Sequence, residues 1–177
     1  MYLDSLIEGK YVDLRSVDVG DAEFTMDLRN DPELGKHFPK FDNSLEQQIQ
    51  WIKKQRDAED DYFWIMQDKR GNPFGTIGVY DIHRDEPKGR SLIAKGNPLQ
   101  NIEGFYLAFH YALDTLEAKG IYGYVYNENT RALRFNELVG AIISEPTEFD
   151  GRTVRKTLFK NPEFEDNWNK IKGRIYR

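Results

Sequence analysis

Two apolar segments joined by a tight turn restrict the fold of this sequence more than any other feature. Residues 62–68 and 74–82 are rich in aromatic and β-branched side chains, and Gly71-Asn72-Pro73 lies between them. Segments of this composition favour strands, and a short linker of Gly, Asn and Pro turns the chain back on itself. The sequence therefore predicts an antiparallel hairpin at the centre of the chain.

Segments with the period of a strand or of an amphipathic helix follow one another along the rest of the chain. Residues 11–17 alternate as a strand does. Asp18 or Asp21 can cap a first helix, and Ser44, with Gln47 three residues on, begins a second. The order of these elements predicts an α/β fold with a mixed sheet. The other predicted strands cover 89–94, 121–126, 141–149 and 152–159, and the other predicted helices cover 105–120, 130–138 and 161–177.

The composition excludes several classes of protein and site. With 177 residues, of which 39% are hydrophobic, we expect one domain over 1–177, with its core at about 11–159 and a C-terminal tail at 161–177. The absence of Cys excludes disulfides and thiolate metal sites, and the three His residues lack zinc-ligand spacing, so no metal is expected. The net charge of −5 argues against nucleic acid as a partner.

The sequence also lacks the signals of export and of membrane insertion. No stretch approaches the run of about 18 apolar residues that a transmembrane helix needs. The N-terminus has no signal-peptide pattern. These observations predict a cytoplasmic protein with no membrane partner.

Residues 96–104, which are rich in Gly and Asn, lie between a predicted strand and the helix predicted at 105–120. A loop of this kind can direct free backbone N–H groups at a phosphate, and the dipole of the following helix favours the anion. An ordinary turn between a strand and a helix is the alternative interpretation. The segment is therefore a candidate phosphate site.

The segment NENTRALRFNELVGA, residues 127–141, passes from a strand into a short helix that ends at a glycine. Asn129 follows the strand, Ala132 comes three residues later, and the helix ends in Glu137-x-x-Gly140. Together with the order of elements over about residues 11–159, this pattern resembles the GNAT acetyltransferases. The resemblance implies a mixed, mostly antiparallel central sheet flanked by helices. It also implies an N-acetyltransferase that uses acetyl-coenzyme A (acetyl-CoA) as co-substrate.

The resemblance further implies where the cofactor binds. Family members place an asparagine like Asn129 against the cofactor arm, although this residue can equally be a simple helix cap. The family's phosphate segment corresponds to residues 100–105, which contain one displaced glycine and the acidic Glu103, and an acid there would disfavour a pyrophosphate. Asn136 stands where many members place a tyrosine acid. The implied cofactor-binding residues are Leu92, Ile93, Ala94, Gln100, Asn101, Ile102, Gly104, Phe105 and Asn129.

Short motifs are similar to two branches of the family. Residues 29–32 (Arg-Asn-Asp-Pro) and 97–98 (Asn-Pro) resemble motifs of the nucleotide-sugar N-acetyltransferases of pseudaminic acid biosynthesis. This branch implies a small-molecule acceptor, the primary amine of an amino sugar, free or nucleotide-linked. The layout is also similar to the Rim-type enzymes, which acetylate the N-termini of ribosomal proteins. A non-catalytic module that binds CoA is the third alternative. The sequence does not determine the oligomeric state, and a homodimer is one possibility.

Acetylation of an amine needs a group that accepts the amine's proton. Asp81, at the end of the second hairpin strand, is the first candidate base and His83 the second, with a solvated strand end as the alternative for both. Arg29 is a candidate for binding a substrate phosphate through its fork of donors, or else forms a surface salt bridge. With Asp81 and Arg90 it makes up the predicted acceptor site. Five aromatic residues either stack on a nucleotide base or belong to the core: Phe38, Phe41, Trp51, Tyr62 and Trp64.

Overall fold

A computed structural model gives the fold over residues 1–38 and 41–176, with the side chains of Arg90 and Ser91 outside the description. Within these residues the chain forms nine strands and five α-helices. The strands are β1 (Ile7–Glu8), β2 (Asp13–Ser16), β3 (Tyr62–Gln67), β4 (Pro73–Tyr80), β5 (Lys88–Ala94), β6 (Ile121–Tyr126), β7 (Ile142–Ile143), β8 (Thr147–Phe149) and β9 (Arg152–Phe159). The helices are α1 (Ala22–Asn30), α2 (Leu45–Asp57), α3 (Pro98–His110), α4 (Thr130–Leu138) and α5 (Glu163–Ile175).

The described strands all belong to one sheet. Their order is β1-β2-β3-β4-β5-β6-β9-β7, and β8 also pairs with β9. Neighbouring strands are antiparallel except β5 and β6, which are parallel. The predicted hairpin is β3 and β4. The prediction of an α/β fold with a mixed, mostly antiparallel sheet is therefore confirmed.

Two apolar clusters bury the two faces of the sheet. On one face, Phe63 and Ile65 of β3 pack in a cluster with Ile52 of α2 and with α1. On the other face, Trp64 and Met66 pack in a cluster with residues of α3 and α5. Neighbouring side chains of a strand point to opposite sides, which is why β3 contributes to both clusters. Helices α1 and α2 therefore cover one face, and α3 and α5 cover the other.

Helix α3 begins at Pro98 and not at residue 105, so the predicted loop at 96–104 is wrong beyond Asn97. The Asn97 side chain accepts a hydrogen bond from the Gln100 backbone N–H, and the Gln100 side chain accepts one from the Asn97 backbone N–H, each at 3.0 Å. This capping box fixes the first turn. Pro98 suits the first helical position because its missing N–H would have no partner there.

The C-terminal part of the chain differs from the prediction in one strand and agrees in the helix. The strand predicted at 141–149 is two short strands, β7 and β8, which both pair with β9. The predicted terminal helix is confirmed as α5, with Phe164, Trp168 and Ile175 buried. Trp168 stacks on Tyr106 of α3, with ring centroids 3.9 Å apart. The tail therefore packs against α3, the helix that contains most of the candidate phosphate segment.

A buried carboxylate joins α3 to both ends of the chain. Glu103 is fully buried. Its carboxylate accepts hydrogen bonds from the backbone N–H groups of Lys10, Tyr11 and Val12, at 2.8, 2.6 and 2.9 Å. The Tyr176 hydroxyl donates a fourth at 2.7 Å, and burial raises the pKa of this hydroxyl, which keeps it a protonated donor. The acid expected beside a phosphate is therefore turned towards the loop before β2.

We expect Glu103→Ala to lower the free energy of unfolding by about 3 kcal/mol or more, because four donors, one buried and three partly buried, lose a charged acceptor at once. Tyr176→Phe keeps the ring and removes one hydrogen bond, so it should cost about 1 kcal/mol. Urea unfolding followed by circular dichroism measures both. Equal losses for the two variants would contradict the role of Glu103 as a shared acceptor.

Candidate active site

The parallel strands β5 and β6 separate soon after they meet. Within the described residues they pair at one position, Lys88 with Tyr122, beside a 2.7 Å hydrogen bond from the Tyr122 N–H to the Pro87 carbonyl. β5 then carries a bulge, where its pairing with β4 shifts between Thr76 and Gly78. A bulge bends its strand and increases the local twist. The two strands therefore enclose a wedge-shaped opening whose closed end lies at Tyr122.

Gly89 lets the elements approach closely at the closed end of this wedge. A Cβ at this position would lie 2.8 Å from Ile121 Cγ2 and 2.8 Å from the Phe109 ring. A larger residue would push β6 and α3 away from β5. The absence of a side chain at Gly89 therefore sets where the wedge closes.

The wedge opens into a cavity of about 850 Å³, a size typical of small-molecule sites. β5 and α3 form one wall, and β6 with the first turn of α4 forms the other. Residues 33–38, which follow α1, border the cavity as well. The cavity is thus built from both of the strands that separate and from the helix that follows each of them.

Several of the predicted cofactor residues line the wall formed by β5 and α3. Asn101 is the polar member of this group, and its Nδ2 donates a hydrogen bond to the Gly96 carbonyl at 3.0 Å. Its buried Oδ1 has no hydrogen-bond partner among the described residues. A buried acceptor without a partner costs about 1–3 kcal/mol, so this oxygen is suited to accept a hydrogen bond from a ligand. The residues of this wall are Leu92, Ile93, Ala94, Asn101 and Phe105.

Three other predicted cofactor residues are turned away from the cavity by the early start of α3. The Gln100 side chain is engaged in the cap of the helix, and the Gln100 N–H donates to Asn97 Oδ1. Ile102 borders a small gap between α3 and α5. Gly104 lies against Met66, whose Cε would be 2.3 Å from an added Cβ. The prediction that these residues form a loop with free N–H groups for a phosphate is therefore wrong.

Two asparagines of the α4 region line the opposite wall. Asn129 Oδ1 accepts a hydrogen bond from the Ala132 N–H at 3.1 Å, so the predicted cap is confirmed. Gly140, with φ +92°, follows the end of the helix as predicted. Asn136 Nδ2 donates to the Ala132 carbonyl at 2.7 Å. The amide at the place of the usual tyrosine lines the cavity, but its N–H groups are not acidic enough to protonate a thiolate.

Asp81 and His83 follow β4 and lie outside the cavity wall. Asp81 has φ +57°, and its carboxylate pairs with Arg84 at 3.1 Å and with Lys88 at 3.0 Å. The His83 side chain is 66% exposed, and its Nδ1 lies 2.5 Å from Asp60 Oδ1. The strand end was placed correctly from the sequence, but it lies by the closed end of the wedge. Neither residue lines the cavity, and the role of either one as the base stays a prediction.

Arg29 is not part of the cavity wall either. Its guanidinium carbon lies 4.7 Å from the centroid of the Phe38 ring and 5.5 Å from that of Phe41. Burial lowers the pKa of this guanidinium. Phe38 and Phe41 are thus contacts of Arg29, and its binding of a substrate phosphate stays a prediction. The Arg90 side chain lies outside the described residues.

The remaining aromatic candidates belong to the core. Tyr62 and Trp64 are 4% and 1% exposed and stack on each other with ring centroids 5.5 Å apart. Trp51 meets Phe63 edge-on at 5.1 Å. The core interpretation left open by the sequence is therefore the correct one for these three residues.

Three tyrosines of β6 line the cavity and were absent from the predicted site. Tyr122, Tyr124 and Tyr126 occupy alternate positions of the strand and all border the cavity. Phe149 of β8 also borders it and stacks on Tyr124, with centroids 5.0 Å apart and planes 11° apart. The sequence carried the signal, because Tyr-x-Tyr-x-Tyr on a strand places all three rings on one face.

The segment after α1 brings titratable side chains to the cavity. Glu33, Lys36 and His37 border it, and Lys36 pairs with Glu33 at 3.1 Å. His37 is half-buried at the end of a short 3-10 turn. His37 therefore borders the cavity, whereas Asp81 and His83 do not, and an imidazole is suited to accept a proton near neutral pH.

Across residues 1–38 and 41–176, no three His, Asp or Glu side chains come together in a way that could hold a metal ion. No helix in the same part of the chain is both long and apolar enough to cross a bilayer.

The sequence and the fold both match known acetyltransferases. Residues 12–142 match the model of the acetyltransferase (GNAT) domain, while a search of curated proteins gave no match. The fold is similar to apo FdhC, a nucleotide-linked sugar GNAT, at 22% identity and a TM-score of 0.80, over 96% of this chain and 98% of that one. It is also similar to the spermidine N-acetyltransferase of Vibrio cholerae in complex with CoA and spermine, at 18% identity and 0.76, over 89% and 99%. At these identities the likeness establishes the fold alone.

The role of Asn129 as a helix cap predicts a specific pattern of stability. We expect Asn129→Ala to lower the free energy of unfolding by about 1 kcal/mol, because the Ala132 N–H loses its acceptor. Asn129→Asp retains an acceptor oxygen at the helix N-terminus and should leave stability nearly unchanged. Urea unfolding of the three proteins measures this. A loss as large for Asp as for Ala would show that something other than the cap decides the effect.

Proposed function

This chain belongs to the GNAT acetyltransferases, and from that premise we propose that it transfers the acetyl group of acetyl-CoA to the primary amine of an amino sugar, free or nucleotide-linked. The observation that carries the proposal is the wedge between β5 and β6, which opens into the cavity. We further propose that the whole chain acts as one acetyltransferase domain, since α5 packs on α3 beside the site.

The wedge has the features that the pantetheine arm of acetyl-CoA requires. Beyond the pair at Lys88 and Tyr122, the facing edges of β5 and β6 no longer pair with each other. Edge N–H and C=O groups need partners, and an extended chain that carries amides supplies them as an added strand would. Asn101 Oδ1 adds a buried acceptor that has no hydrogen-bond partner among the described residues. Leu92 and Phe105 supply apolar surface along the same wall.

The phosphates of acetyl-CoA would bind near α4 and not at the start of α3. The cap formed by Asn97 and Gln100 occupies donors at the N-terminus of α3. Arg131, in the first turn of α4, borders the cavity and is exposed. The N-terminal dipole of α4 adds partial positive charge at the same place. In this arrangement Arg131, on the wall opposite α3, would bind the phosphates in place of the family's glycine-rich segment.

The acceptor amine would enter beside residues 33–38, where the cavity has its titratable side chains. The neutral amine attacks the acetyl carbonyl carbon, the new C–N bond replaces the C–S bond, and the amine loses a proton. His37, which borders the cavity, would accept this proton, directly or through water. Asn136 cannot protonate the departing thiolate, but a thiol near the reference pKa of cysteine loses its proton at a cost of only ~2 kcal/mol at neutral pH, so water suffices.

Two alternatives remain in the choice of acceptor and of function. A protein N-terminal amine is the alternative acceptor. A module that binds CoA without catalysis is the alternative function, and it is favoured by the capped start of α3 and by Asn136. One of the similar structures holds spermine, so a polyamine belongs among the acceptors to be tested.

Release of the CoA thiol in the presence of different amines tests this function. We expect acceptor-dependent release that is fastest with amino sugars, and a rise in melting temperature with acetyl-CoA, because a ligand that binds only the native state stabilises it. Preferred acetylation of a peptide N-terminus or of spermidine would replace the acceptor. A thermal shift without thiol release for any amine would support the non-catalytic module, and the absence of both would contradict the proposal.

A matched pair of variants shows whether acetyl-CoA binds in this cavity. Ala132 borders the cavity in the first turn of α4, whereas Arg134 of the same helix is exposed and outside the cavity wall. Ala132→Trp should abolish the thermal shift with acetyl-CoA by filling the site. Arg134→Trp adds the same ring to the same helix and should retain the shift. If both variants retain it, acetyl-CoA binds elsewhere.

The choice of His37 over Asp81 as the base gives a further prediction. We expect His37→Gln to lower kcat/KM at neutral pH by about 10²-fold, the usual contribution of a positioned base. Asp81→Asn should change it by less than about threefold, and asparagine tolerates the left-handed backbone at this position. Initial rates of thiol release across a pH series measure both. The reverse ranking would restore Asp81 as the base.

A further inference from the structure

Four aromatic residues on one face of the sheet form a surface that the reaction itself does not require. Tyr122, Tyr124 and Tyr126 of β6 and Phe149 of β8 all border the cavity. We refer to these four residues as the aromatic platform. Tyr124 and Phe149 are 51% and 55% exposed although their rings stack on each other. Each ring therefore leaves much of its outer surface open to a ligand.

The aromatic platform lies on the acceptor side of the sheet. Ile121 is fully buried and lies beside Phe109 of α3, since a Cβ at Gly89 would contact both. Successive residues of a strand point to opposite faces, so Tyr122, and with it Tyr124 and Tyr126, faces away from α3. That is the face covered by α1 and α2. The platform is thus separated by the sheet from the helix that borders the cofactor wall.

Two cations flank the aromatic platform. The Arg152 guanidinium carbon lies 4.8 Å from the centroid of the Tyr126 ring, and Lys156 Nζ lies 4.4 Å from that of Tyr122. Lys156 also pairs with Glu86 at 2.7 Å. Arg152 forms no ion pair within the described part of the chain. Its positive charge, beside open aromatic rings, is therefore available to an anion.

We propose that the aromatic platform binds the nucleotide part of the acceptor, with the base stacked on an outer face of the Tyr124–Phe149 pair and a phosphate paired with Arg152. This inference rests on the proposed function and specifies its substrate as a nucleoside-diphosphate-linked amino sugar. Bases stack favourably on aromatic side chains, and guanidinium groups bind phosphate oxygens in a bidentate manner. A polyamine would instead meet two cations of its own sign at this surface.

CoA also carries a nucleotide, so a base and a phosphate at the aromatic platform could belong either to the acceptor or to CoA. The adenine nucleotide of CoA would bind near Arg131 and the start of α4 if the proposed arrangement is correct. The two nucleotides would then occupy different places and bind at the same time. Competition between them therefore tells which one the platform accepts.

Isothermal titration with uridine diphosphate and thymidine diphosphate tests the inference without requiring catalysis. We expect at least one of the two to bind the wild type, and Phe149→Ala and Arg152→Gln to weaken that binding about tenfold each. Tyr2→Ala is the matched control, because Arg56 lies over the Tyr2 ring at 4.1 Å in a comparable pair away from the cavity. The affinity for the diphosphate should be unchanged in Tyr2→Ala, and it should also be unchanged when the wild type is saturated with CoA.

The same variants separate this inference from the proposed function. Phe149→Ala should raise KM for a nucleotide-linked amino sugar about tenfold and leave KM for the free amino sugar within twofold. Displacement of the diphosphate by CoA, equal binding by all variants, or no binding of either diphosphate would overturn the platform as a nucleotide site. If the wild type still acetylates a free amino sugar in those cases, the proposed function stands. If it transfers the acetyl group to no amine, both the proposed function and this inference are wrong.

Discussion

The binding site of this chain depends on the short pairing between two neighbouring strands of the sheet, β5 and β6. β5 and β6 are parallel and, within the residues that the structure describes, pair at one position before they separate. A separation inside a sheet is costly, because it leaves two strand edges with polar groups that have lost their partners. The bulge of β5 and the missing side chain of Gly89 determine where it begins. An extended ligand rich in amides is the natural partner for such an opening, and this is the physical basis for placing acetyl-CoA there.

Binding of an extended ligand in the wedge needs a rigid wall. Helix α3, which forms part of this wall, is held in position by the buried carboxylate of Glu103. Glu103 accepts hydrogen bonds from the backbone before β2 and from Tyr176 at the other end of the chain. Truncation of such a carboxylate leaves several donors unsatisfied at once, which is why a single buried acid can hold three segments together. Tyr106 and Trp168 add a stacked pair on the same side of α3. The acid that would repel a phosphate in a loop therefore stabilises the helix instead.

The parts of this structure that could be predicted are those encoded by local signals. The central hairpin, the cap at Asn129 and the terminal helix all follow from residues near to them in the chain. Residues 96–104 contain both the Gly and Asn typical of a loop and the capping box that begins α3 at Pro98, so local signals conflict there. Because α3 begins so early, Glu103 lies within the helix and points towards the loop before β2. The wedge could not be predicted at all, since it depends on pairing between distant segments. Asp81 was expected at the end of the second hairpin strand and directly follows β4, but whether it lines the cavity depends on the tertiary structure. The tyrosines of β6 could have been found from their alternation alone.

A crystal structure of this chain with CoA tests the central claim most directly. The account predicts density for the pantetheine arm between β5 and β6, with its amides within hydrogen-bonding distance of both strand edges. Density for CoA on another surface, or β5 and β6 paired along their full length, would contradict it.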